Sequence, residues 1–320
     1  MKKILLICLG LILCINLSEA QNSKRNKKSK KKNADVVETP AKEVIPTVET
    51  LNSYSKEIEE EQLLQISKPY VQQETHGHID WTNQYIEAKG EALIDTSRFK
   101  NYGQARAMAI RGAQVVAQRN LLEIIKGVHV VGETTVQDMI TINDAVQTRV
   151  EGVIRGAQAV GEPVEKFGMM EVTMRVWIYD NSGLAPVVHK SAQAAGKDNI
   201  IVPTSSEYTP TPAEDKPFVF NLNGKNYDPA MFPVVVDENG KVLLDMSTLY
   251  DPKSGKFPKI FNTTRDVFEL AGFDKGVEIV DIARTEPGKL VVADTSKSKV
   301  NWSKIGSTAA KIGKFLLMLL

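Results

Sequence analysis

Cysteine is nearly absent from this chain of 320 residues, and both copies, Cys8 and Cys14, lie close to its start. Removal of residues 1–20 would leave no thiol, which excludes disulfides, cysteine nucleophiles and cysteine-based zinc sites. Histidine is also scarce, and of the four copies only His76 and His78 lie near each other. A pair of histidines without a third is more typical of polar residues at the start of a strand than of a metal site.

The motifs of common catalytic sites are missing as well. The chain has no phosphate-binding glycine loop that ends in Lys-Ser or Lys-Thr, and no Gly-x-Ser-x-Gly nucleophile turn. Carboxylates are plentiful, but their spacing selects no pair as a general acid and base. We therefore expect no enzymatic activity, no cofactor and no bound metal.

The net charge of +1 hides a strong asymmetry along the chain. Seven basic residues fall between positions 24 and 32, and beyond them and the first twenty residues 31 basic residues face 38 acidic ones. A mildly acidic body excludes a nucleic-acid-binding surface. The basic run is typical of a solvated spacer, and contact with anionic lipid or with cell-wall polymer is the alternative.

The first twenty residues have the order of an export signal. Lys2 and Lys3 precede an apolar stretch over 4–17, and Ser18-Glu19-Ala20 provides small residues around a cleavage site after Ala20. The stretch is shorter than the roughly 20 residues of a spanning helix, so a secreted, periplasmic protein is expected. Lipidation of Cys14 is the alternative, although Leu13 is a poor residue at the position before a modified cysteine.

Composition divides the rest of the chain into five segments. Low apolar content and two prolines predict a largely disordered tail, since such a segment cannot offset its ordering entropy. A second stretch rich in Pro, Ser and Thr is predicted to be a linker without regular elements. The segments are the tail (21–75), a first folded domain (76–181), the linker (182–217), a β-rich domain (218–295) and a terminal helix (296–320).

The first domain is predicted to be α+β. Alternation over 85–94 predicts a strand with a small-residue face, and apolar positions three and four apart predict helices over 102–126 and 144–155. A β-branched stretch over 128–136 predicts a strand, and two further strands flank Lys166-Phe167-Gly168. This order predicts a small antiparallel sheet with two helices on one face.

The second domain is predicted to be mostly β with one short helix. Tight hairpins are expected at Asn223-Gly224 and at residues 237–240, and two last strands flank Glu286-Pro287-Gly288. The helix is predicted over 264–271, before Gly272.

The last segment is predicted to be a basic amphipathic helix. Its apolar positions recur at helical spacing beside lysines, which is typical of a helix in the head-group region of a membrane. A helix that docks on its own domain or on a neighbouring protein is an equal alternative. The candidate contact residues are Trp302, Ile305, Ile312, Phe315 and Leu316.

Two blocks of the first domain resemble a family of small envelope proteins. The blocks Gly132-Glu133-Thr134-Thr135-Val136-Gln137-Asp138-Met139 and Arg149-Val150-Glu151-Gly152-Val153-Ile154-Arg155-Gly156-Ala157 are similar to a signature of FlgP-type outer-membrane lipoproteins and of the FlgT amino-terminal domain. The alanine-rich, arginine-containing helix before them is similar too. The whole layout resembles FlgQ-type flagellar motility proteins, although FlgP-type proteins carry a lipidated cysteine.

Charged residues in these blocks are candidates for contacts between subunits. Glu151 and Arg155 are four apart in the favourable orientation of a helical ion pair. Pairing between copies in a ring is one interpretation, and stabilisation within the domain is the other. The candidate residues are Glu133, Asp138, Arg149, Glu151 and Arg155.

The resemblance implies a non-enzymatic structural protein of the periplasm, associated with the outer membrane and required for flagellar motility. It implies a homo- or hetero-oligomer that contributes to or stabilises the basal disk around the flagellar motor, with a FlgP-like disk protein and motor components as partners. The alternative is an envelope protein that binds or modifies peptidoglycan, which the basic tail and the spare carboxylates would suit.

Overall fold

The protein has an α+β fold, as predicted. The structure, a computed structural model, describes residues 67–194, 218–264, 278–302, 305 and 316–319. These residues contain a six-stranded sheet, an eight-stranded sheet and a two-stranded ladder. Apolar side chains from both large sheets belong to one continuous hydrophobic cluster.

The described residues 67–194, which we call the first region, contain nine strands and four helices. The strands are β1 (Lys68–Pro69), β2 (Val71–Glu74), β3 (Gly77–Asp80), β4 (Tyr85–Leu93), β5 (His129–Val131), β6 (Thr134–Thr135), β7 (Gln158–Ala159), β8 (Val164–Lys166) and β9 (Met169–Trp177). The helices are α1 (Tyr102–Gly127), α2 (Val136–Ile142), α3 (Asp144–Arg155) and α4 (Ala185–Ala194).

The six-stranded sheet is antiparallel throughout. Its order is β2-β3-β4-β9-β7, and β8 also pairs with β9. The central pair runs in register from Tyr85 opposite Trp177 to Leu93 opposite Met169. Buried and half-buried residues alternate along β9, which is the pattern of a sheet with one covered and one open face.

Helix α1 covers one face of this sheet at close range. It begins after Asn101, whose side chain accepts a hydrogen bond from the Gln104 amide, and its buried stripe begins with Ala105, Ala109, Ala113 and Ala117. A Cβ atom at Gly90 would lie 2.2 Å from the Ala113 carbonyl oxygen and from the Ala117 amide nitrogen. The helix backbone therefore rests almost directly on β4, as the small-residue stripe predicted.

Helix α2 replaces the end of the strand predicted over 128–136. Thr135 and Asp138 form a capping box in which each side chain accepts a hydrogen bond from the other residue's amide. This cap starts the helix at Val136. A turn at Gly132, with φ of 55°, and Glu133 divides the stretch before it into β5 and β6. The predicted helices over 102–126 and 144–155 are confirmed as α1 and α3.

The described residues from 218 onwards, which we call the second region, contain seven strands, a 3₁₀ turn and a short helix. The strands are β10 (Phe218–Asn221), β11 (Val234–Asp237), β12 (Val242–Asp245), β13 (Lys259–Asn262), β14 (Glu278–Glu286), β15 (Lys289–Val292) and β16 (Leu316–Leu319). The 3₁₀ turn spans Met246–Leu249, and the helix is α5 (Asp294–Lys297).

The eight-stranded sheet is mixed, with the order β1-β13-β16-β10-β14-β15-β11-β12. Strand β10 is parallel to β14 and β16, and β11 is parallel to β15. The hairpin predicted at 237–240 is confirmed, because β11 pairs with β12 in antiparallel fashion. The two strands predicted on either side of Glu286-Pro287-Gly288 are present as β14 and β15, and they too pair in antiparallel fashion.

The hairpin predicted at Asn223-Gly224 is wrong. Both residues have positive φ angles, 51° and 74°, so a tight turn is present. The chain that follows it forms no partner strand, and β10 instead pairs with strands that come much later in the sequence. The sequence thus predicts the turn correctly, but tertiary contacts decide which strands pair with β10.

Three segments have more regular structure than predicted. Helix α4 lies in the stretch predicted to be a linker, and β1 and β2 lie at the end of the stretch predicted to be a disordered tail. Strand β1 pairs with β13 and β2 pairs with β3, so this part of the chain contributes one strand to each large sheet. The export signal, the basic run and nearly all of the helix predicted over 264–271 lie outside the described residues.

Candidate interaction surfaces

The two sequence blocks that carry the resemblance contain β6, the first half of α2 and the second half of α3. Val136, Met139, Val146, Val150 and Ile154 from these elements are buried. The five candidate contact residues are on the other side: four are exposed and Glu151 is half-buried. The blocks therefore build a corner with an apolar inside and a charged outside, which we call the signature corner.

Three of the candidate residues have a clear local function. Glu151 and Arg155 form the ion pair that their spacing predicted, with Arg155 Nη2 3.1 Å from Glu151 Oε2. Asp138 accepts hydrogen bonds from the amide and hydroxyl of Thr135 at 2.8 and 2.7 Å. These bonds hold the pKa of the Asp138 carboxyl below its usual range. Asp138 thus caps α2, while Glu133 lies exposed in the turn between β5 and β6.

Two of the predicted terminal contact residues pack in the protein's own core, which agrees with the alternative that this segment docks on its own domain. Trp302 is 2% exposed and Ile305 is buried too, so neither side chain is available to a membrane or a partner. The Trp302 ring stacks on Phe220, and its Nε1 donates a hydrogen bond to the Lys297 carbonyl at 2.9 Å. Leu316 begins strand β16 instead of continuing a helix. Ile312, Phe315 and Ala20 lie outside the described residues.

The open face of the six-stranded sheet carries an aromatic and charged cluster that the sequence did not reveal. The Arg175 guanidinium lies 3.9 Å from the centre of the Tyr85 ring, and its Nε donates to Glu87 Oε1 at 2.7 Å. Trp177 meets the Tyr85 ring edge-on at 6.0 Å between ring centres. Alternation placed these residues on one face, but only the β4–β9 register brings them together.

His78 belongs to the same cluster rather than to a metal site. Its Nε2 lies 3.8 Å from Glu87 Oε2, and its ring meets Tyr85 edge-on. No group of three or more His, Cys, Asp or Glu side chains able to hold a metal ion occurs in the part of the chain that the structure describes. The helices described there also include none that is long and apolar enough to cross a bilayer.

The resolved pKa shifts have local causes in burial and in hydrogen bonding. Burial raises the pKa of the Tyr179 and Tyr227 hydroxyls strongly, and it raises that of Tyr250 to about 12. Burial also lowers the pKa of His189, which packs against Phe232 and Tyr250. Every described carboxyl group with a resolved shift has a lowered pKa, which is opposite to the change that a general acid requires. These carboxyl groups belong to Asp95, Asp138, Glu171, Asp180, Asp237, Asp251 and Glu286.

A second surface lies at the far end of the same sheet. Phe167 in the β8–β9 turn is 102% exposed, and Leu93 at the end of β4 is 66% exposed. Val164 in β8 is 45% exposed. We call these three residues the apolar tip. The sequence identified the turn at 166–168, and a phenylalanine at a turn position that favours Asn or Gly was the signal that could have identified the tip.

Comparison with known proteins does not extend these observations. Neither a protein-family model nor a curated protein matches the chain. The resemblance to FlgP-type lipoproteins and to the FlgT amino-terminal domain therefore depends on the two quoted blocks and on the layout of the chain.

Proposed function

We propose that this protein is a non-enzymatic structural component of the bacterial envelope, required for flagellar motility. In this proposal it is periplasmic, associates with the outer membrane, and contributes to or stabilises the FlgP basal disk around the motor. The observation that carries the proposal is the signature corner, in which the residues of the resembling blocks form one folded unit with its charged side chains outward.

The packing of the chain supports a mechanical role. A disk subunit must keep its shape under the torque of the motor, and interiors packed at crystal-like density transmit strain. Here the α1 backbone lies against β4 at Gly90, and the hydrophobic cluster continues from the six-stranded sheet into the eight-stranded one. Force applied to one sheet would therefore reach the other through packed side chains.

The electrostatics support a protein without acid–base chemistry. All the resolved pKa shifts of carboxyl groups favour the charged form. They are lowered by local partners, such as Thr135 for Asp138 and Lys297 for Asp237. The strongest shifts belong to tyrosines that are enclosed in the core. Burial and ion pairing within the folded protein account for all of these pKa shifts.

Imaging of motors in cells tests the proposal. In a deletion strain we expect motors with a missing or irregular disk and impaired swimming, and the wild-type gene should restore both. Arg149→Glu changes the charge of the signature corner and should weaken the rescue. Arg119→Glu, an exposed reversal on α1 outside the corner, is the matched control and should rescue fully. Complete disks and normal swimming in the deletion strain would refute the proposal.

A cell-wall ligand is the competing function, and the cluster around Arg175 is the surface that would bind it. Aromatic rings on an open sheet face can stack on a ligand, although the guanidinium of Arg175 already covers one face of Tyr85. Cosedimentation with purified sacculi separates the two proposals. We expect the protein to stay in the supernatant and to release no fragments. Binding that is lost in Trp177→Ala would favour the cell-wall function.

A further inference from the structure

Phe167 stands out because its position is unfavourable in two ways. The side chain is fully exposed, and the backbone is in the left-handed region with φ of 51°, followed by Gly168 with φ of 75°. A bulky side chain in this region costs about 1–2 kcal/mol. Asparagine or glycine would form the same turn without that cost. Turn formation therefore does not explain why a phenylalanine is present.

Two further exposed apolar side chains lie at the same end of the sheet. The Gly168 carbonyl accepts a hydrogen bond from the Ile94 amide at 2.9 Å, which places the turn beside the end of β4. Leu93 is opposite Met169 in the register, and Val164 is opposite Glu171 on the neighbouring strand pair. Alternation along the strands puts Leu93 and Val164 on the open face of the sheet. The apolar tip thus projects where no described helix covers the sheet.

Three basic residues border the apolar tip on a body that is acidic. Lys166 precedes Phe167, and Arg98 and Lys100 lie in the adjacent loop after β4. Carboxylates also lie near the tip. Glu171 is 3.5 Å from Lys166 Nζ and 3.3 Å from Lys89 Nζ, and Glu91, opposite Glu171 on β4, is exposed. Glu165 accepts a hydrogen bond from the Tyr102 hydroxyl and lies 3.6 Å from Arg106. The hydroxyl of Ser97 and the amide of Arg98 bond to Asp95 and lower its pKa.

An exposed aromatic residue bordered by lysine and arginine is typical of a protein surface that binds the interface of a membrane. Apolar side chains enter the boundary between head groups and acyl chains, while each nearby basic residue adds about 1 kcal/mol of attraction to an anionic leaflet. Lysine is depleted in protein–protein interfaces, where charged residues avoid the centre of the contact. A projecting tip also offers less area than the roughly 800 Å² that each partner buries in a stable protein interface.

We propose that the apolar tip inserts into the surface of an anionic phospholipid bilayer. Phe167 and Leu93 would enter the acyl boundary, and Lys166, Lys100 and Arg98 would lie among the phosphate groups. This inference is independent of the proposed function. It assigns membrane contact to the β8–β9 turn, whereas the sequence had suggested the terminal segment, whose Trp302 and Ile305 are buried.

Vesicle binding by turn variants tests the inference. The protein, purified as the exporting cell processes it, is mixed with vesicles of phosphatidylglycerol and phosphatidylcholine, or of phosphatidylcholine alone. We expect Phe167→Asn to bind the anionic vesicles about tenfold more weakly, since it removes one buried aromatic side chain. The same variant should unfold at a higher temperature, because asparagine suits the left-handed conformation. Loss of binding with gain of stability separates lipid contact from a structural role.

Two further variants complete the test. Phe167→Trp should bind as the wild type does, and its fluorescence should shift to the blue with anionic vesicles. Ile142→Ala removes an exposed apolar residue at the end of α2 and should leave binding unchanged. Equal binding by wild type and Phe167→Asn would overturn the inference, because the basic run would then account for all of it. So would self-association that depends on Phe167 without any vesicle binding.

Discussion

The two large sheets bury their strands in different ways. Along β9 of the six-stranded sheet, buried positions alternate with half-buried ones, whereas all four residues of β10 and of β11 in the eight-stranded sheet are buried. The first sheet therefore has a covered face and an open face, whereas strands β10 and β11 of the second sheet are enclosed on both faces. Surfaces that can contact other molecules are concentrated on the first sheet, and the second contributes mainly to the shared core.

The largest effect is expected in the enclosed region. Trp302→Ala removes a buried indole that stacks on Phe220, and should lower the free energy of unfolding by about 4 kcal/mol. Chemical denaturation measures this loss. Ile142→Ala, at a residue that is 55% exposed, is the control and should change stability by less than about 0.5 kcal/mol. A small effect of Trp302→Ala would mean that the terminal segment does not belong to the core.

The close approach of α1 to β4 in the open region gives the next effect. Gly90→Ala would place a Cβ atom 2.2 Å from two backbone atoms of α1, so the helix must move, at a cost of about 3 kcal/mol. Gly152→Ala in α3 meets no atom within 4 Å and should stabilise the protein by about 0.5–1 kcal/mol. Denaturation midpoints of the two variants should move in opposite directions. Equal shifts would contradict the close packing of α1 on β4.

These elements also show how far sequence reasoning reaches. The sequence predicted β4 and β9 from their alternation and α1 from its stripe of small residues. Each of these elements has one covered face, which produces a periodic pattern in the sequence, and the two strands pair in antiparallel fashion. The eight-stranded sheet was not readable in this way. Its parallel pairs, such as β11 with β15, join distant segments whose mostly buried strands carry no periodicity that specifies a partner.

The interaction surfaces were predicted only in part. The charged exterior of the signature corner and the Glu151–Arg155 pair followed from helical spacing. The cluster of Arg175 with Tyr85 needed the register between two strands that are far apart in sequence, and the apolar tip needed the bond between Gly168 and Ile94. The burial of Trp302 depends on contacts with Phe218 and Phe220, which helical periodicity alone does not predict.

A buried carboxylate in the enclosed sheet gives a pH-dependent effect. Burial raises the pKa of Asp237, but hydrogen bonds from Lys297 and from the Lys241 and Asn239 amides outweigh it and leave the pKa below the usual 3.8. Its contribution is therefore present above about pH 4 and is lost as the pH falls through the lowered pKa. Asp237→Asn should cost about 2 kcal/mol at neutral pH. Its unfolding free energy should fall less than that of the wild type between neutral pH and acid, and a parallel decline would contradict the assignment.

The smallest effect is expected in the signature corner. Asp138→Ala removes the reciprocal cap of α2 and should cost about 1 kcal/mol, measured by thermal unfolding. Gln137→Ala, one residue earlier and exposed, is the matched control and should change stability by less than about 0.5 kcal/mol. If Asp138→Ala impairs the disk while the folded protein keeps its stability, Asp138 contacts a partner in addition to capping the helix.

The position of the protein in the cell tests the central claim most directly. A compact tag fused after Leu320 is imaged in averaged motors by electron cryotomography, in a strain that swims as the wild type does. We predict added density at regular intervals in the disk around the motor, beneath the outer membrane, and its loss when the FlgP-like disk protein is deleted. Tag density dispersed through the envelope with no relation to motors would contradict the account.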